Sequence, residues 1–105
     1  MASDREYLQF ILDQLSGLEG LSHRAMMGEF LFYMRGKVVG GLYDDRLLVK
    51  DLPASRDLLP DAPEELPYPG AKPMLLVENV DDREALQTLF QALGEALSAP
   101  KTPRK

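Results

Sequence analysis

The segment GKVVGGLYDDRLLVK, Gly36 to Lys50, decides the fold. Apolar and aromatic residues run through it almost without interruption, two glycines sit inside the run, and an aspartate pair splits it before Arg46. Asp44-Asp45 reads as a two-residue hairpin loop, because aspartate tolerates the positive φ that such turns demand. A divalent-cation site would need several oxygens converging on one point, and two adjacent side chains do not converge by themselves. The pair is therefore a turn, and the segment forms two antiparallel strands.

Arg35-Gly36 is a second candidate two-residue turn, and strands are expected over 23–27, 29–34, 37–43 and 46–50. Upstream, Ser3-Asp4-Arg5-Glu6 has the pattern of a capping box. The helix it opens carries Leu8, Ile11, Leu12 and Leu15 on one face, with Tyr7 beside them, and Gly17 and Gly20 close it. Downstream, Pro53 to Leu59 reads as a short helix stopped by Pro60. The proline-rich stretch 61–73 reads as an extended loop and Met74 to Glu78 as a last strand. Asp81-Asp82 leads into a helix with Leu86, Leu89, Phe90, Leu93 and Leu97 on one side. The order α-β4-α-β-α implies a two-layer α+β domain over residues 3–98, with a mainly antiparallel sheet of about five strands and helices at both ends. A basic tail, 99–105, is expected to be flexible.

Carrying the pairing through both turns sorts the strand residues into two faces. Leu31, Tyr33, Val38, Gly40, Leu42, Leu47 and Val49 fall on one, which is expected to lie under the helices. Phe30, Phe32, Met34, Val39, Tyr43 and Leu48 fall on the other, together with Lys37, Arg46 and Lys50. Two helices suffice for one side of a small sheet, so the second apolar face predicts a protein partner, in the first place a second copy. Gly40 and Gly41 make room for a neighbour across the ladder or mark a bulge.

At 105 residues, 45% hydrophobic and 28% charged, the chain fits one ordinary globular domain. No apolar run approaches the roughly 20 residues that span a bilayer, and the N-terminus lacks the pattern of a signal peptide, so a cytoplasmic protein without membrane contact is expected. The net charge is −5; setting aside Lys101, Arg104 and Lys105 takes the 12 basic residues to 9 against 17 acidic ones, a balance of −8. Such a surface argues against direct nucleic-acid binding, which depends on neutralising phosphates. Only an electrostatic contact through the tail would run the other way.

Absence of cysteine removes disulfides, thiolate metal sites and cysteine nucleophiles. A single histidine, His23, excludes paired-histidine metal motifs within one chain; as a lone general base it would need Glu29 or Asp45 to orient it. Ser16, Ser22, Ser55 and Ser98 lie in no nucleophile-elbow context, and the glycines form no phosphate-binding fingerprint. No enzyme, metal or cofactor is expected. Met26-Met27 and Phe30-Phe32-Met34 could line an apolar ligand site, though core or interface is the simpler reading. Lys37, Arg46, Lys50 and Lys72 form a candidate anion rim, with Lys72 delivered by the proline-rich loop. A small-ligand or anion-binding domain is thus the alternative to an interaction module.

The run MMGEFLFYMRGKVVGGLYDDRLLVK, Met26 to Lys50, resembles the N-terminal domain of the TfoX/Sxy family, regulators associated with natural competence. The likeness rests on Met26 to Gly28, the aromatic strand Phe30 to Tyr33, the Gly36-Lys37 turn, the apolar strand Val38 to Tyr43, the aspartate turn and a strand ending in Lys50. It extends more weakly through the short helix, the PYPG loop and the MLLVE strand. The resemblance implies a secretion-chaperone-like α+β fold and a protein-binding role in transcriptional control, with no catalytic residues. Longer members continue into a helical C-terminal domain where this chain has its basic tail, so a stand-alone N-terminal-domain protein is expected.

Overall fold

Three two-residue turns organise the first half of the molecule. In a computed structural model, which describes residues 5–98, both central residues of each turn have positive φ: Met27 50° and Gly28 85°, Arg35 53° and Gly36 80°, Asp44 55° and Asp45 60°. This is the type I′ signature, whose twist matches that of the strands it joins. The turns connect β1 (Leu21–Met26), β2 (Glu29–Met34), β3 (Lys37–Tyr43) and β4 (Arg46–Val49) into a four-stranded meander. Asp44-Asp45 is thus a hairpin tip, flanked by the pair Tyr43 and Arg46.

Helices α1 (Arg5–Gln14), α2 (Pro53–Leu58) and α3 (Arg83–Ser98) complete the α+β fold, together with β5 (Glu64–Glu65) and β6 (Met74–Leu76). Among the described residues the sheet has six antiparallel strands in the order β1-β2-β3-β4-β6-β5. The additional strand is β5, hidden in the proline-rich stretch. Pro63 has no N–H to give, but its carbonyl accepts from Leu76 N–H at 2.9 Å, and this starts the pairing of Glu64 with Leu75. Ser3 and Asp4 of the expected capping box, and the tail 99–105, lie outside the described residues.

The face assignment needs correction. Tyr33 pairs with Val38 as expected, but Phe32 pairs with Gly40, which leaves Val39 as an extra residue in β3. A one-residue bulge moves every later side chain to the opposite face relative to β2. Phe30 therefore shares a face with Leu42 and Leu47, and Phe32 with Gly40 and Val49. Phe30, Phe32, Met34 and Val39 belong to the buried core with Leu42, Leu47 and Val49, under α1 and α3, and are not a surface left for a partner. Leu31, Tyr33 and Val38 are the residues left on the helix-free side, where Tyr43 and Leu48 are buried apart from that main cluster. Gly40 suits its site because a Cβ there would come within 2.9 Å of Val49 Cα.

The helices meet the core through Leu8, Ile11 and Leu15 on one side and Leu86, Leu89, Phe90 and Leu93 on the other. Phe90 packs edge-on against Phe32, with ring centroids 5.9 Å apart. At Gly94 a Cβ would meet that of Met34 at 2.9 Å, so the glycine sets how closely α3 approaches β2. Asp82 caps α3, its Oδ1 accepting from Ala85 N–H at 3.1 Å. The last carbonyls of α1 are satisfied from α3: Arg83 donates to Asp13 O at 3.0 Å and Gln87 to Gln14 O at 2.9 Å. A cation at a helix C-terminus also suits the helix dipole.

Candidate functional site

The helix-free side of the sheet carries the features that the core does not absorb. Its floor is Leu31, Val38 and Tyr43, its far wall is Pro67 and Tyr68, and Met26 and Met27 close one end. This apolar stretch encloses about 430 Å³. It continues past Val38, Tyr43 and Tyr68 into a second stretch of about 480 Å³ that ends at Lys50, Asp51 and Lys72. Each volume lies in the range of ordinary ligand sites.

Local sequence explains how each part is held. The wall is fixed by Arg46, whose Nη1 reaches Glu65 Oε1 at 2.5 Å while Nη2 donates to Leu66 O at 3.3 Å and Nε to Tyr43 O at 3.1 Å. Arg46 is therefore a strut between the β3–β4 hairpin and the loop, not part of an anion rim. Tyr68 stands over Tyr43 with ring centroids 6.4 Å apart. At the methionine end, Glu29 Oε1 accepts from Asp44 N–H at 3.1 Å and ties two hairpin tips together. Met27 is 96% exposed, Tyr68 60% and Met26 45%.

Of the four candidate rim cations, the structure brings Lys50 and Lys72 together at the groove's end. Lys37 sits exposed beside the β2–β3 turn and does not line it. Among the described residues neither Lys50 nor Lys72 has an ion-pair partner, whereas Asp51 is held by Arg56 Nε at 2.8 Å and Nη2 at 3.0 Å. Arg56 also pairs with Glu64, and its hydrogen bonds to Asp51 first and then the charge of both carboxylates raise its pKa above the ordinary arginine value. Lys50 is placed by backbone: its N–H donates to Val39 O at 2.9 Å, and its carbonyl accepts from Ser55 Oγ at 2.6 Å. Ser55, fully buried, also accepts from Leu52 N–H at 2.9 Å. The sequence marks Ser55 only as lacking a nucleophile context; its place two residues after Pro53, where a first-turn hydroxyl can reach back to the chain before the helix, is the signal for this structural role.

Reactive chemistry finds little support in the geometry. His23 is exposed on β1 opposite Phe32, and among the described residues it has no carboxylate to orient it; Glu29 is engaged with Asp44 instead. No group of three His, Asp or Glu side chains suited to a metal ion occurs among the described residues. Burial is the first cause, and the neighbouring Tyr68, Glu29 and Tyr33 the lesser ones, that push the Tyr43 phenol above its usual value of 10.0, so it stays protonated at neutral pH.

The open edge of the sheet adjoins the groove at Met26. Among the described residues β1 is the outermost strand, with only β2 beside it, and Ser22 to Met26 are all exposed. The opposite edge, β5, is two residues long and follows Pro63. Among the described residues no helix is long and apolar enough to cross a membrane.

No family profile matches the chain, and no solved structure matches it either. A curated relative does: an uncharacterized 12.7 kDa protein in the trpE 5′ region of Spirochaeta aurantia, 37% identical over 106 aligned positions that cover 100% of this chain and 91% of the relative. At that identity and coverage, the chain belongs to the same family as the Spirochaeta aurantia 12.7 kDa protein.

Proposed function

We propose that this protein is a non-enzymatic interaction module of the cytoplasm, related to the N-terminal domains of the TfoX/Sxy regulators, that receives a protein partner along β1. The observation that carries the reading is the edge itself: six residues of strand whose outer N–H and C=O groups face no neighbouring strand among the described residues. Folded proteins usually blunt such an edge, because it templates pairing with another chain. Here only His23 and Arg24 interrupt it, and the exposed Met26 and Met27 at its end add an adaptable apolar anchor. The α+β architecture agrees with the likeness to TfoX/Sxy, and the acidic balance favours a protein over a nucleic acid as the target. A second copy is the simplest partner, now through β1 and not through Phe30 and Phe32.

Hydrogen exchange tests this on the intact chain. Amides of β1 that face outward should exchange fast in the dilute monomer and become protected on self-association or on addition of a partner captured from the host. Placing lysine at both Ser22 and Ala25 should abolish association and leave the fold intact. Association that proceeds with β1 exchange unchanged would remove the reading.

A further inference from the structure

The groove on the helix-free face calls for a different kind of occupant from the edge. Its floor stands on β2 and β3, whose backbone groups are already paired with strands on both sides. An extended peptide laid there would find no ladder partners, as it does at a sheet edge, whereas a hydrocarbon chain needs none. Along β3 the floor runs from Tyr43 to Val38, five residue steps or about 17 Å. Charge is confined to the ends. Lys50 and Lys72 stand at one, and Glu29 with the two methionines at the other.

We infer that this groove binds a single-headed amphiphilic anion: an unbranched aliphatic carboxylate whose head lies between Lys50 and Lys72 and whose tail runs over Val38 and Tyr43 toward Met26. Charge sets the direction. The two lysines have no ion-pair partner among the described residues, and the one carboxylate beside them, Asp51, is neutralised by Arg56. Lys50 is half-buried and its backbone is pinned on both sides, so its ammonium group meets the head with less water between them than a free surface lysine would. A zigzag chain with bonds near 1.5 Å advances only about 1.3 Å per carbon, so the length suits a tail of roughly thirteen carbons. Unbranched methionines accommodate tails of differing length.

The groove meets the β1 edge at Met26 and Met27, but its head site at Lys50 and Lys72 lies at the opposite end, so a charge-dependent affinity for the carboxylate tests it independently of the edge. Titration calorimetry on the full chain, with decanoate, dodecanoate and tetradecanoate, should show Kd tightening about fourfold for each two-carbon step, as expected for half-buried methylenes. Methyl shifts of Met26 and Met27 should move with saturation. Decanol should bind at least tenfold more weakly than decanoate, and K50Q/K72Q should erase that preference while keeping the native amide spectrum. Equal affinity for decanoate, decanol and decyltrimethylammonium would reveal a greasy surface blind to charge and overturn the inference. So would an absence of binding, or binding with silent methionine methyls.

Discussion

Ser55 shows how much can hang on one small side chain. Its hydroxyl bridges Lys50 O and Leu52 N–H within a fully buried site, so Ser55→Ala leaves a carbonyl and an amide without their partner. Leaving such groups unsatisfied costs about 1–3 kcal/mol, which urea denaturation will register as a lower midpoint with unchanged slope. Tyr43 and Tyr7 supply a pH dependence. Burial is the main cause that raises both phenols above 10.0, so the folded state holds their protons more tightly than the unfolded chain does. Their contribution is present in full below pH 10 and is lost as pH rises through the raised values. A Tyr7→Phe, Tyr43→Phe double variant should therefore lose stability less steeply than the parent above pH 10, measured by denaturation at stepped pH.

Among the elements, the β1–β2 hairpin breaks a local rule. Met27 holds φ at 50° and exposes nearly all of its side chain, at a position where asparagine or glycine is ordinarily found. Met27→Asn should raise stability by roughly 1 kcal/mol, read as a higher melting temperature, and should weaken partner binding if the tip is an anchor. The neighbouring hairpins were legible because Arg35-Gly36 and Asp44-Asp45 carry turn-forming residues. The bulge at Val39 was not, since nothing in KVVGG distinguishes a valine that pairs from one that is skipped, and the outcome depends on how Phe32 fits over Gly40. That one residue inverted the reading for β2, so that Phe30, Phe32 and Met34 are covered in place of Leu31 and Tyr33, whereas Leu42, Leu47 and Val49 lie in the core as expected. Lys50 and Lys72 were named from sequence without any means of knowing that Arg46 would be occupied by Glu65. Arg46→Ala should free the wall loop, seen as faster exchange at Leu66 and Tyr68, with little change in global stability.

For the whole molecule, element order and helix faces followed from spacing, whereas closure depended on contacts between distant segments. The carbonyls that end α1 are held by Arg83 and Gln87, about seventy residues further along the chain. Leu8 and Ile11 likewise share their core with Leu89 and Phe90. During translation α1 and the meander are made long before α3, so the aromatic side of the sheet lacks half of its cover until residues 83–98 leave the ribosome. At roughly 5–20 residues per second, that is an interval of a few seconds in which Phe32, still without Phe90, stands open to chaperones or to other nascent chains.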